Sequence, residues 1–158
     1  MKKYILCLLS GLTIFISCTH KGEPTKQGEM LTTEQMNALA NDQSMNGKLV
    51  SVKGYASFCG VFSSVKGGKK SRMNIYTDGF CKGEKLLDAE ILIADNQTPL
   101  SGEEERNQAI VDKNFSNETI KFTTDDYQEV SNGELTFSGT VIYNGADFYL
   151  ENVTIHKQ

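Results

Sequence analysis

Residues 47–59 read Gly-Lys-Leu-Val-Ser-Val-Lys-Gly-Tyr-Ala-Ser-Phe-Cys, and their pattern restricts the fold more than any other stretch. Val50, Val52, Gly54, Ala56 and Phe58 fall on one face, with Leu49, Ser51, Lys53, Tyr55 and Ser57 on the other. A period of two belongs to a half-buried strand, because successive side chains of extended backbone point to opposite sides. Gly54 interrupts the run where a barrel strand has to curl. The stretch is therefore expected to be the long, bent first strand of a small β-barrel.

Met73 and Ile75 inward with Tyr76 outward predict a second strand over 73–77, and Ala89, Ile91 and Ile93 give a third over 86–94. Gly67-Gly68 turns the loop between the first two; Asp78-Gly79 and a loop over 80–85 separate the next pair. After Pro99 the period changes. Ser101 with Glu104 forms a capping box, Glu103, Glu104 and Glu105 suit the positive end of a helix, and Ala109, Ile110 and Phe115 supply its buried stripe. Ile120-Lys121-Phe122-Thr123 stays open between loop and a short extra strand. Leu135, Phe137, Gly139 and Val141 alternate over 134–141, Asn144-Gly145 makes a tight hairpin turn, and a last strand returns over 148–155. A short helix precedes all of these. Thr32 and Gln35 form its capping box, Leu31 and Met36 its hydrophobic staple, and Met36, Leu39 and Ala40 an apolar face that plugs the barrel, with Asn46-Gly47 as the stop.

Helix, three strands, helix, two strands is the layout of the five-stranded OB-fold, a partly open Greek-key barrel. The expected class is mainly β: a five-stranded OB-fold barrel over residues 31–158, with an N-terminal helix and a helix between strands 3 and 4. Over 31–157 the chain resembles the lipid-anchored OB-fold proteins of Bacteroides-like bacteria that are grouped with tRNA-anticodon-like OB domains. The resemblance is carried by the capped helix, by Asn46-Gly47-Lys48-x-Val50-x-Val52-x-Gly54, and by Gly133 and Gly139 with the Asn-Gly turn and Leu150-x-Asn152. These short motifs imply the fold more than a ligand. The cysteine pair and the long Lys-Gly loop depart from the family pattern.

The N-terminus carries an address. Lys2 and Lys3 precede a mostly apolar run over 4–16, too short for a membrane-spanning helix of about twenty residues, which is the layout of an export signal. Phe15-Ile16-Ser17-Cys18 resembles the lipobox at which bacterial lipoproteins are cleaved and lipidated; Phe15 departs from the usual leucine. The expectation is a signal peptide over 1–17, lipidation at Cys18 and a flexible polar tether over 18–30. Partners are then a membrane, through the lipid, and an envelope protein or glycan. Thr19 is not the aspartate of inner-membrane retention and the tether lacks an acidic export cluster, which together favour the outer membrane, facing the periplasm.

Loss of Lys2 and Lys3 with the signal leaves 14 basic against 20 acidic residues, a net charge of −6, which disfavours a nucleic-acid partner gripped through phosphates. With Cys7 removed and Cys18 lipidated, Cys59 and Cys81 remain in an oxidising compartment. A disulfide is the reading, with two free thiols as the alternative. His20 and His156 lie at opposite ends, so no metal-ligand spacing joins them to the cysteines, and no metal or cofactor is expected.

No catalytic constellation stands out. The sequence holds no P-loop, dinucleotide fingerprint, His-Glu-x-x-His or Gly-x-Ser-x-Gly, two remote histidines give a Ser/His/Asp arrangement little to work with, and Asp125-Asp126 reads as a solvated loop pair, so the protein is expected not to be an enzyme. Binding character gathers on Lys69, Lys70 and Arg72 of the basic loop with Tyr55, Tyr76 and Phe80. Lysines there would meet phosphate or carboxylate while aromatics stack on rings, so binding of single-stranded nucleic acid or an oligosaccharide through the OB face is the second reading. A solvated hairpin tip is the plainer account of the Lys-Gly loop.

Overall fold

A computed structural model describes residues 25–60, 65–95, 105–112 and 114–157. The expected signal, Cys18, the start of the tether and the Ser101/Glu104 cap lie outside them. The elements in order are β1 (Glu29–Met30), α1 (Thr33–Ala38), a 3₁₀ turn (Gln43–Met45), β2 (Leu49–Ser57), β3 (Lys70–Asp78), β4 (Lys82–Asp95), β5 (Gln108–Val111), β6 (Lys121–Thr123), β7 (Glu129–Ser131), β8 (Glu134–Asn144) and β9 (Asp147–His156).

Five of these strands close a barrel. β2 pairs antiparallel with β3 and with β8, β3 with β4, and β8 with β9. The ring shuts through a short parallel junction, Asp88 beside Tyr149 and Ala89 beside Leu150, between β4 and β9. This is an OB-like order. The alternation dictates which side faces in: Val50, Val52, Ala56, Phe58, Met73, Ile75, Ala89, Ile91, Ile93, Phe137 and Val141 are all buried. Phe137 meets Phe122 edge to face at 6.2 Å, and each such side chain contributes about 1.5–3 kcal/mol by leaving water. Gly54 allows β2 to cross β3 closely; a Cβ there would lie 2.6 Å from the Tyr76 carbonyl oxygen.

Two expectations change. The loop placed over 80–85 is shorter, because β4 resumes at Lys82 and only Gly79, Phe80 and Cys81 form the hairpin tip, the last two with φ of 60° and 64°. Ala109 and Ile110 belong to strand β5 and not to a helical stripe, and no α-helix lies between β4 and β8 among the described residues. The cause is β4 itself. At 14 residues it outruns its junction with β9, and backbone groups of Leu92–Asp95 need partners that β5 supplies in parallel register. β6, at the stretch left open in the sequence, and β7 then continue antiparallel from β5.

This three-stranded annex is fastened to the barrel by asparagines. Asn117 accepts from the Phe58 amide at 2.7 Å, and Asn132 donates to the carbonyls of Ala56 and Asn117 at 3.0 and 2.6 Å. Asn107 accepts from the Ile155 amide, and the Asp125 amide donates to the Ile155 carbonyl, both at 2.9 Å. The free side of β9 is thus covered.

α1 has the expected capping box, Thr32 and Gln35 each accepting from the other's amide. It ends at Ala38, earlier than Asn46-Gly47, with Ala40 exposed and Leu31 and Leu39 carried into the core.

The tether behaves differently from expectation over its last residues, because from Thr25 the chain is docked. Thr25 is held by Asp125, Gly28 lies over Ser138 and Ser51, Glu29 and Met30 pair in parallel with Val50 and Ser51, and the Leu31 amide donates to the Ser51 carbonyl at 2.9 Å. Residues 25–31 therefore form a strap running across the outside of β9, β8 and β2.

Candidate functional site

The residues singled out in the sequence fall in two places along one wall of the barrel. Arg72, Asn74 and Tyr76 alternate along the outer face of β3, and the four residue steps from Arg72 to Tyr76 span roughly 13 Å. Tyr55 of β2 stands directly opposite Tyr76, half-buried, with its ring edge 3.6 Å from where a Cβ on Gly79 would be. Beyond Gly79, Phe80 is 43% exposed at the hairpin tip. Cys81 beside it is bonded to Cys59, and its amide donates to the Ser57 hydroxyl. Tyr55, Tyr76 and Phe80 thus share a region braced by the disulfide.

Lys70 and Arg72 stand at the other end of the wall, Lys85 lies across from Tyr76, and all three are spoken for. Lys70 pairs with Glu90 at 3.1 Å, Lys85 with Asp88 at 2.9 Å, and Arg72 with Asp147 while stacking 4.0 Å over the ring of Tyr149. Burial alone would lower the Arg72 pKa, yet the hydrogen bond and charge of Asp147, with Asp88 and Tyr149, outweigh it and hold the guanidinium above its ordinary value. Asn74 between the two groups donates to Asp88 at 2.6 Å and accepts from the Cys59 amide. Lys69, among the described residues, is exposed and has no carboxylate partner.

Where β4 and β9 splay apart next to their short junction, a cavity of about 230 Å³ opens. Leu86, Leu87 and Phe148 give it an apolar lining, and Lys85, Asp88 and Asp147 its polar groups. A second hollow, of about 190 Å³, lies beneath α1. Among the described residues no group of three His, Cys, Asp or Glu is placed to hold a metal ion.

Sequence reasoning missed a third cluster. Ser138 Oγ lies 2.9 Å from His156 Nε2, and His156 Nδ1 lies 3.0 Å from Asp125 Oδ2, which is the order of a Ser–His–Asp relay. Asp125, far from solvated, is only 4% exposed. The signal was absent because positions 125, 138 and 156 have no local spacing; only the pairing of β8 with β9 and the turn after β6 bring them together.

The strap sits on this relay. Ser138 and Ser51 are fully buried, their hydroxyls 2.7 Å apart; Ser138 accepts from the Gly28 amide at 3.3 Å and Ser51 donates to the Gly28 carbonyl at 3.0 Å. Asp125 accepts from the Thr25 amide and hydroxyl at 3.1 and 3.2 Å. With the strap docked, Ser138 is fully buried and the cluster holds residues 25–28 against the barrel.

No family model, curated protein or solved structure matches this chain. The reading of the site therefore rests on its own geometry.

Proposed function

We propose that the protein is a lipid-anchored component of the cell envelope, attached through Cys18, whose barrel is a non-catalytic binding or assembly module for an envelope protein or glycan. The observation that carries this is the charge compensation of the β3–β4–β9 wall. Lys70, Arg72 and Lys85 each hold a carboxylate, so the wall is rich in hydrogen-bonding groups yet offers little net positive charge, beside an aromatic region and a cavity of mixed character. Such a surface suits a neutral polar ligand or a protein loop better than a phosphate polymer, which rewards uncompensated cations. The barrel is read as an OB-fold in which the annex occupies the chain between strands 3 and 4.

Photo-crosslinking from Phe80 and Glu84 in intact cells tests the proposal. Reproducible capture of one envelope protein or glycan, lost in Cys18→Ala, is the expected result. Capture of nothing by a stable, membrane-bound protein would refute it.

Nucleic-acid or oligosaccharide binding is the second reading, favoured by the exposed Lys69 at the far end of the wall that carries the aromatic region. A labelled oligonucleotide titrated across salt decides the nucleic-acid form: binding at low salt that disappears when Lys69, Lys70 and Arg72 become alanine would support it.

A further inference from the structure

Building on the anchored reading, we infer that the docked strap determines which side of the barrel is turned to the membrane, and that it keeps the β3–β4 wall on the far side. The strap crosses β9, β8 and β2, so its centre lies over β8. In the ring β2-β3-β4-β9-β8 the strands opposite β8 are β3 and β4, which carry Arg72, Tyr76 and the Phe80 tip.

Thr25, the first described residue, is fixed to Asp125 by two hydrogen bonds. From Cys18 to Thr25 is seven residue steps. That is a leash of about 25 Å at full extension. Without docking, the first fixed point is the Thr32 cap of α1, fourteen steps from Cys18. The leash would then reach about 50 Å and would no longer begin on the β9 side. The Ser51–Ser138–His156–Asp125 cluster therefore halves the reach of the barrel and sets its facing. A ligand on the β3–β4 wall meets it from the side away from the lipid.

The test uses the lipidated full-length protein in phosphatidylcholine vesicles that carry an energy-transfer acceptor in the headgroup. A donor is placed on Lys157→Cys, at the end of β9, or on Glu84→Cys, near the hairpin tip, with the Cys59–Cys81 bridge intact. Higher transfer from position 157 than from position 84 is expected. Gly28→Val, which drives a side chain into the Val50 backbone, removes that difference. A Gly-Ser insertion between Pro24 and Thr25 that doubles the leash leaves the strap docked and lowers transfer at position 157. Equal transfer from both positions in the membrane-bound wild type, or a difference that survives in folded Gly28→Val, overturns the inference and leaves the anchor standing. Failure of the wild type to partition with vesicles overturns the anchor, and the inference with it.

Discussion

Gly28 rests directly on the backbone of Val50: a Cβ at position 28 would lie 2.5 Å from the Val50 carbonyl carbon. No side chain fits that gap, so the strap crosses β2 only because residue 28 has none. Gly28→Ala is expected to undock the strap at a cost of about 1–3 kcal/mol. Hydrogen exchange at the Leu31 amide, which donates to Ser51, reports the loss. Unchanged Leu31 protection would show that the strap tolerates the side chain.

Ser138→Ala removes one hydroxyl but leaves several polar partners buried, namely Ser51, the Gly28 amide and His156. Stranding buried polar groups costs about 1–3 kcal/mol, more than the mean worth of a hydrogen bond. Urea unfolding should show that loss. A midpoint equal to the wild type would mean that the cluster contributes nothing to attachment.

The bridge between Cys59 and Cys81 closes a loop of 22 residues in sequence separation. In the chain-entropy description its removal, by replacing both cysteines with alanine, destabilises the fold by roughly 3 kcal/mol. The same variant releases the tip, where Phe80 and Cys81 hold left-handed backbone that non-glycine residues rarely adopt. Amide exchange should rise first at Phe80 and Lys82. Loss of stability without local loosening at the tip would contradict this account.

Tyr143 couples the barrel to the end of α1 and the turn that follows it. From β8 its hydroxyl reaches the carbonyls of Leu39 and Asp42, at 2.8 and 2.9 Å. Burial, reinforced by the charge of Asp42, raises its pKa above the usual tyrosine value of 10.0. A raised folded-state pKa means that the stabilisation is complete below the unfolded value and is lost as the pH climbs through the folded one. Ultraviolet titration should find one tyrosine ionising later than free tyrosine, with stability falling over that alkaline range. Tyr143→Phe should abolish the late step and cost about 1 kcal/mol.

The barrel was legible because its strands carry their own signal. Val50 to Phe58 and Leu135 to Val141 alternate without ambiguity, and one glycine in each marks a close crossing: Gly54 over β3, and Gly139, whose Cβ would come within 2.9 Å of Leu150. The annex was not legible. Gln-Ala-Ile-Val is equally compatible with a buried helical stripe and a short strand, and what decides between them is the unpaired end of β4, a property of another segment. The strap is polar and aperiodic, so nothing local announces that it docks. In the candidate site, the outward faces of Tyr55 and Tyr76 were legible from the alternation, and the two pair across β2 and β3. The ion pairs of Lys70 and Arg72 were not, since they depend on the register of β3 against β4, which sets Glu90, and on Asp147 of the distant β9.

The sheet terminates in β1 and β7, strands of two and three residues, and Glu129 of β7 is tied to Lys121 across the pair. A growing fibril recruits chains along a long, flat row of unpaired amides and carbonyls, and short or charged edges deny it that template. Wherever many copies are held at high local concentration, these two abbreviated ends equip the barrel to stay dispersed.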